Sequence, residues 1–349
     1  MIMYKPTYSI TNTILNNIAA IEQAKKEIIL SPVLPLWEKV LRHDAIISST
    51  HNSTAIEGNT LSYDDVENLY QGIKVDASKK EKLEVHNYFA VLKYIDLLGK
   101  RKSFLLSESN LLRIHRILGK GTLEDVHLGR YRRKQVYIVD QKGTIHYRPP
   151  NTNLVPNLMK DFISWVNWKE ALELHPVIHA AIVHYQFVTI HPFIDGNGRT
   201  GRALATLILY LRGFDTKRIF ALDDYYNEDR AIYYQILNTT QKNKSQDMTQ
   251  WLEYFTAGVM KSMLKVKRRI MQLSIERTHI TKQGQIYITT KQFNALEHIK
   301  RNGSITNKQY QEINQVSNKS AYLDLEKMLK AGLLVVHGKG RAIKYLLKK

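Results

Sequence analysis

Apolar residues recur at helical spacing along most of the 349-residue chain, and few segments show the alternation of strands. Ser62, followed three residues later by Asp65, is typical of a capped helix start, and we expect that helix to run through Tyr70 and stop near Gly72. The other helices are predicted over 11–50 (one or two helices), 79–98, 108–118, from about 155, and over 176–189, 199–212 and 229–254.

One segment breaks the helical pattern. Gln135–Val139 and Thr144–Tyr147 are short β-type runs on either side of a turn that contains Gly143. This arrangement predicts a hairpin, which Pro149 and Pro150 end.

The last part of the chain has a different pattern. Met260–Arg277 predicts a basic helix that leads out of the first domain. The segments beyond it predict three helices and two strands around a basic, glycine-rich tip, which suggests a winged helix-turn-helix domain. The helices are expected over 291–300, 307–313 and 319–329, and the strands over 333–336 and 342–346 around 337–340.

Composition narrows the class of protein. Hydrophobic residues make up 44% of the chain, which argues against disorder, and the net charge of +19 favours anionic partners. There is no cysteine, so disulfides and thiol chemistry are excluded and a cytoplasmic location is expected. Neither a signal peptide nor a membrane-spanning run of apolar residues is recognisable, so no membrane partner is expected.

The segment from His191 to Arg202 combines a glycine-containing loop with the start of an apolar helix. Such a loop presents backbone N–H groups at the positive end of the helix dipole, which suits an anion. Two guanidinium groups, on Arg199 and Arg202, favour a polyphosphate, and Asp195 could hold magnesium beside it. His191 titrates near neutral pH and could act as general base.

Each of these features alone also fits an ordinary turn or a solvated helix face. Together they resemble the signature of the Fic family, His-x-Phe-x-Asp/Glu-Gly-Asn-Gly-Arg-x-x-Arg, which this chain matches at every fixed position from His191 to Arg202. The resemblance extends over roughly residues 40–257. It implies a mainly α protein with a helical Fic core and a short β-hairpin flap.

The resemblance implies transfer of AMP from ATP to a hydroxyl side chain of a target protein. His191 would take the proton from the hydroxyl, Asp195 would coordinate Mg²⁺, and Arg199 and Arg202 would contact phosphates, Arg202 at the γ position. The remaining nucleotide contacts are expected from the phosphate loop, the flap and a later helix, at Gly196, Asn197, Gly198, Val136, Tyr137, Ile138, Val139, Tyr233 and Gln241. The flap would also pair with an extended target segment.

Ser53–Gly58 resembles the inhibitory motif of the same family, Ser/Thr-x-x-x-Glu-Gly/Asn. Glu57 could pair with Arg202 and occupy the arginine that the γ-phosphate needs. The alternative is an exposed helix end at Glu57 with Gly58 and Asn59 as its cap. Some relatives use the same glutamate to remove AMP, so de-AMPylation stays open for this chain.

The resemblance divides the chain into an N-terminal helical region with the inhibitory motif (1–110), a Fic core (111–257), a linker helix (258–282) and a winged-helix domain (283–349). Basic residues of the last domain suit DNA phosphates, although winged helices also bind proteins. A DNA-binding regulator with a nucleotide-sensing Fic domain is therefore the alternative function, and a homodimer is plausible. The phosphate-transferring branch of the family has lysine at the position of Gly198, which favours AMP transfer here.

Overall fold

The structure is a computed structural model, and it describes residues 4–30, 35–101, 104–139, 143–214, 219, 221–281, 290–338, 340 and 343–348. The chain divides into two compact units. Unit 1 comprises Met1–Ser31 and Glu38–Arg268, and unit 2 comprises Pro32–Trp37 and Arg269–Lys349.

The described part of unit 1 is almost entirely helical, with one small hairpin. Its helices are α1 (Asn12–Leu30), α2 (Pro35–Ile56), α3 (Tyr63–Tyr70), α4 (Lys79–Gly99), α5 (Glu108–Gly119), α6 (Val155–Val166), α7 (Lys169–Glu173), α8 (Pro176–Ile190), α9 (Asn197–Leu211), α10 (Asp223–Glu228), α11 (Arg230–Lys242) and the first part of α12 (Thr249–Thr281). The antiparallel hairpin pairs β1 (Ile138–Val139) with β2 (Ile145–Tyr147). The prediction of a mainly helical protein with a short hairpin is confirmed.

Serine side chains begin several of these helices. Ser62 accepts a hydrogen bond from the backbone N–H of Asp65, and the Asp65 carboxylate accepts one in return from the N–H of Ser62, which completes a capping box. Ser78 and Glu81 do the same at the start of α4. These caps satisfy N–H groups that have no partner within the helix, so short polar motifs determine where the helices start.

Two predicted elements differ from the structure. The strand expected over 135–139 is confined to Ile138–Val139, because the side-chain amide of Gln135 donates to the carbonyl oxygens of Val136 and Pro149. The helix expected over 229–254 is two helices, α11 and α12. Asn243 forms a turn with Ser245 between them, and Asp247 caps the N–H of Thr249. Polar side chains that bond to nearby backbone compete with the helix here.

Helix α8 lies at the centre of unit 1. Nearly all its side chains are buried, on every face, so it is a core helix. It packs against α6 and α9, and α9 packs in turn against α4 and α5. The indole N–H of Trp251 donates to the Ala181 carbonyl at 2.8 Å and joins α12 to α8. Rigid packing of α8 and α9 determines the position of the loop between them.

After the end of α12, the described part of unit 2 continues with three helices and a second hairpin. Helix α13 (Thr290–Asn302) is followed by α14 (Asn307–Asn314), α15 (Asn318–Lys330), β3 (Leu334–His337) and β4 (Lys344–Leu347). An isolated bridge joins Ile305 to Tyr345. The small hydrophobic core of unit 2 consists of Ala295, Ile299, Ile305, Tyr310, Ala321, Leu325, Met328, Leu334 and Tyr345. Of the basic tip expected at 337–340, Lys339 lies outside the described residues, as does the adjoining Arg341.

Helix α12 covers residues 258–281 of the segment predicted as a linker over 258–282, and Lys282 lies outside the described residues. It begins nine residues earlier, at Thr249, and its residues up to Arg268 belong to unit 1, with Trp251 and Phe255 fully buried. Among the described helices, none has the length and apolar character that crossing a bilayer requires.

Candidate functional site

The loop between α8 and α9 has two residues in the left-handed region of backbone space. His191 ends α8 with φ 52°, and Gly196 precedes α9 with φ 76°. A Cβ on Gly196 would lie 2.9 Å from Leu118 Cδ2, so both the torsion and the space favour glycine. Helix α9 begins at Asn197, and the first N–H groups of the helix therefore face the loop.

The loop is held from inside by Asn197. Its buried side chain accepts a hydrogen bond from the N–H of Phe193 and donates one to the carbonyl of the same residue, both at 2.9 Å. Phe193 is fully buried and stacks on the His115 ring at 3.7 Å. The side chain of Asn197 thus shapes the loop, and its backbone is the part available to a ligand.

His191 is oriented as a proton acceptor. Its Nδ1 lies 3.1 Å from the Val188 carbonyl, which can only accept, so Nδ1 carries the proton and Nε2 has a free lone pair. Burial lowers the pKa of His191 to about 4, partly offset by the bond to Val188. The imidazole is therefore neutral at physiological pH, as a general base requires.

The predicted pair of Glu57 and Arg202 is present in the structure. Arg202 Nη2 donates to Glu57 Oε1 at 2.8 Å and to the Ser53 carbonyl at 2.9 Å, while Nε donates to Ser53 Oγ at 2.8 Å. Although burial alone lowers it, the pKa of Arg202 is raised well above its ordinary value, chiefly by Glu57. Glu57 follows the end of α2 directly, so the inhibitory motif lies against α9 in this structure.

The carboxylate of Glu57 also occupies the expected anion position. A Cβ built on Gly198 would lie 2.4 Å from Glu57 Oε1 and 3.1 Å from Arg202 Nη1. The carboxylate therefore packs on the backbone of the first turn of α9, where N–H groups and the helix dipole favour negative charge. Only a residue without a side chain leaves room for it.

Arg199, the first arginine of the signature, has its own acidic partners. Arg199 is buried, and its Nη1 lies 3.6 Å from Glu84 Oε1 of α4, while Nη2 lies 3.9 Å from Asp195 Oδ1. Glu84 also accepts a hydrogen bond from Asn59 at 2.9 Å. The side chain of Asp195 is 56% exposed and accepts a bond from the Gly196 N–H at 2.5 Å, so one face of its carboxylate is open to a ligand.

The hairpin is attached to the loop by Arg132. This buried guanidinium donates to the carbonyls of His191 at 2.8 Å and Pro150 at 2.5 Å, and the Arg132 N–H donates to Pro192 at 2.8 Å. The Tyr147 hydroxyl of β2 donates to the Thr189 carbonyl at 3.0 Å. The four proposed flap residues lie on this hairpin or just before it, with Tyr137 and Val139 exposed and Val136 and Ile138 partly buried.

The two residues assigned to the adenosine differ in position. Tyr233 is buried in a cluster of aromatic rings, and its hydroxyl lies 3.2 Å from His184 Nε2, so its ring belongs to the core. Gln241 is partly buried and donates to Thr189 Oγ1 at 3.2 Å, close to the loop.

Sequence reasoning missed His115, Arg132, Glu84 and Asp223, all of which contact the signature or its arginines. His115 is one example. Its Nδ1 accepts from the Gly129 N–H and its Nε2 donates to the Asp195 carbonyl, both at 3.0 Å, and burial lowers its pKa to about 4. None of the four lies within either recognised motif, so nothing local indicated its role.

The segment that contains this site matches a known protein family. The model of the Fic/DOC family matches residues 105–209, which include α5, the hairpin, α8 and most of α9. Residues 105–209 form a Fic domain. The match ends before α10 and includes neither α2 nor Glu57, which follows it.

Curated relatives match about half to three quarters of the chain. The protein adenylyltransferase Fic of Aedes aegypti is 36% identical over 173 residues, which is 49% of this chain and 33% of the relative. The protein adenylyltransferase fic-1 of Caenorhabditis elegans is 30% identical over 253 residues, 71% of this chain and 46% of the relative. The chain thus spans less than half the length of these two relatives.

Solved structures share the fold beyond the Fic domain. A Fic family protein from Desulfovibrio desulfuricans G20 superposes with a TM-score of 0.69 at 24% identity, covering 99% of this chain and 98% of that one. At this identity the similarity establishes the fold alone. The similarity in fold therefore extends beyond residues 105–209.

Proposed function

We propose that this protein is a protein adenylyltransferase that transfers AMP from ATP to a serine, threonine or tyrosine hydroxyl of a target protein. The observation that carries the proposal is the anion site at the start of α9. It combines Arg202 with a proton-accepting His191, and a removable carboxylate, Glu57, lies in it. The names of the curated relatives support the same activity.

The chemistry follows from the geometry of these residues. Backbone N–H groups at Gly196, Asn197 and Gly198 hold the phosphates, and the two arginines of the signature neutralise their charge. The target hydroxyl oxygen forms a bond to the α-phosphorus, and the bond from that phosphorus to pyrophosphate breaks. The hydroxyl proton moves to His191 Nε2, which is free because Nδ1 is bonded to Val188.

The donor set at Asp195 suits Mg²⁺. In the described part of the chain, no three acidic or histidine side chains converge at one point, so a metal ion here would be held by the exposed carboxylate together with nucleotide phosphates. Magnesium is commonly bound in this way. When bound, it would neutralise charge on the α- and β-phosphates.

The pair of Glu57 with Arg202 makes the described conformation an inhibited one. The arginine that would hold the γ-phosphate instead donates to Glu57, and the carboxylate fills the space above Gly198. ATP must displace this carboxylate to bind productively. The hairpin would meanwhile hold an extended target segment beside His191, with the adenosine near Gln241.

The activity is tested by incorporation of label from α-labelled ATP with magnesium, into the protein itself and into a host lysate. Wild type, Glu57→Gly and His191→Ala are compared. We expect strong labelling with Glu57→Gly, weak labelling with wild type and none with His191→Ala. Absence of transfer by all three proteins, with nucleotide binding intact, would refute the enzyme. Loss of label from a modified target only in the presence of Glu57 would add the de-AMPylating activity.

For unit 2 we propose a winged helix-turn-helix that binds DNA. Support comes from α14 and α15 followed by a hairpin, and from exposed Lys319 and Tyr322 near the start of α15. A mobility-shift titration with random duplex DNA tests this, and Lys319→Glu should weaken binding while Lys261→Glu should not. Homodimerisation and a cytoplasmic location stay predictions, and the first is open to sedimentation measurements.

A further inference from the structure

A second carboxylate, that of Asp223, lies close to the Arg202 guanidinium. Asp223, the first residue of α10, is 3% exposed in its side chain, and its Oδ1 lies 3.4 Å from Arg202 Nε. Its Oδ2 accepts a hydrogen bond from Ser49 of α2. Asp223 follows the segment that the Fic family model matches and belongs to neither recognised motif.

The contact with Arg202 is electrostatic more than directional. Arg202 Nε already donates to Ser53, and Asp223 Oδ1 makes no hydrogen bond within the described residues. Burial raises the pKa of Asp223, and the facing guanidinium and Ser49 oppose this. A carboxylate this deeply buried is costly unless it compensates a positive charge, and Arg202 is the charge that it faces.

The two carboxylates around Arg202 differ in how easily they can leave. Glu57 is 25% exposed and lies just beyond the end of a helix, so its side chain can swing out. Asp223 is enclosed by the fold, and Ser49 holds it. Arg202 Nη1 has no hydrogen-bond partner within the described residues and lies near Gly198, so one donor remains for a phosphate even while Asp223 is in place.

We propose that Asp223 is a permanent counter-ion of Arg202 that limits how tightly this arginine holds either Glu57 or the γ-phosphate of ATP. The proposal deepens the function proposed above and rests on it for the identity of the ligand. Without Asp223, the buried guanidinium would bind Glu57 more strongly, and ATP would displace this carboxylate less readily. With part of its charge already compensated, the arginine exchanges one anion for the other.

The test measures ATP binding by titration calorimetry with the full chain and magnesium. All proteins carry Glu57→Gly and His191→Ala, so that neither inhibition nor self-modification interferes. Asp223→Asn keeps the shape of the side chain and removes its charge. We expect the dissociation constant for ATP to fall on the order of tenfold, because a buried negative charge close to the phosphate is removed. AMP, which has no γ-phosphate, should bind unchanged.

Asp224→Asn is the matched control. Asp224 lies on the same helix and also contacts α2, through Ser48 and Asn52, and it pairs with Lys265 instead of Arg202. Its neutralisation should leave ATP affinity within about twofold, as for a partly exposed ion pair. Asp223→Ser, a second neutral variant, keeps the test valid if Asp223→Asn does not fold.

The outcomes separate this proposal from the proposed activity. The proposal is overturned if ATP binds but neither neutral variant lowers its dissociation constant, or if the dissociation constant for AMP falls equally. In either case Asp223 does not act on the γ-phosphate through Arg202. If the dissociation constant for ATP falls as expected but no protein that retains His191 transfers label, Asp223 is the counter-ion of Arg202 and the proposed adenylyltransferase activity is refuted. Failure of every protein to bind ATP removes both.

Discussion

Gly198→Ala tests whether Glu57 and a phosphate compete for one space. The added Cβ would lie 2.4 Å from Glu57 Oε1, so the carboxylate must withdraw by about 1 Å to reach ordinary contact distance. Withdrawal of that size breaks its 2.8 Å hydrogen bond to Arg202. The end of a glutamate side chain moves easily and Gly198 has an ordinary helical backbone, so we expect the fold to persist.

The stability change should be small because two effects oppose each other. Loss of a hydrogen bond between charged groups costs about 1.5–3 kcal/mol. Alanine in place of glycine within a helix returns about 1 kcal/mol. A net loss of about 1 kcal/mol lowers the melting temperature of a domain of this size by roughly 2–4 °C, which differential scanning calorimetry resolves.

The informative result is the activity, measured as incorporation of α-labelled AMP. Glu57→Gly vacates the anion position and should activate the protein. Gly198→Ala also breaks the inhibitory pair, but its methyl group remains where the phosphate must bind, so labelling should stay at or below that of wild type. The double variant that carries both Glu57→Gly and Gly198→Ala should be no more active than Gly198→Ala alone. If Gly198→Ala instead gives as much labelling as Glu57→Gly, the phosphate does not pack on this turn of α9. The inference that Glu57 and a phosphate compete for the same space would then be refuted.

Three further predictions concern the supports of the site. Asn197→Ala removes both hydrogen bonds to the Phe193 backbone and should lower the free energy of unfolding in urea by about 2–4 kcal/mol. Arg132→Met frees the His191 carbonyl and should reduce AMP transfer by roughly tenfold or more through misplacement of the base, with ATP affinity unchanged in calorimetry. Burial lowers the pKa of His115 to about 4, so the folded state resists protonation of this side chain. The free energy of unfolding should therefore fall as the pH drops from about 6.5 to about 4. His115→Gln should make this fall shallower in urea titrations repeated at each pH.

Each has a control among exposed residues of the same kind. Asn16→Ala, Arg133→Met and His86→Gln alter exposed side chains outside the loop and should leave the corresponding measurement nearly unchanged. Equal destabilisation by the two asparagine variants would show that the hydrogen bonds from the Asn197 side chain to the Phe193 backbone contribute little to stability. A drop in ATP affinity with Arg132→Met, or an undiminished pH dependence with His115→Gln, would contradict the roles assigned here.

Local sequence determined the elements of the site that depend on neighbouring residues. Glycines between His191 and Arg199 predicted a tight loop before a helix, and Gly196 has the left-handed backbone that glycine adopts without steric cost. Ser62 predicted the start of α3, since a cap bonds to a residue only three positions away. The strand at 135–139 was overestimated because the side chain of Gln135 reaches Pro149, a contact that no alternation of residues reveals.

The tertiary structure alone decided which charges meet. The pairing of Glu57 with Arg202 joins residues far apart in the chain and was inferred by resemblance, but its position over Gly198 required the fold to bring the end of α2 to the start of α9. Asp223 and His115 carry no local signal at all. Their roles arise because helix packing buries them beside a charge or a carbonyl, and a buried polar group is tolerated only where the fold supplies its partner.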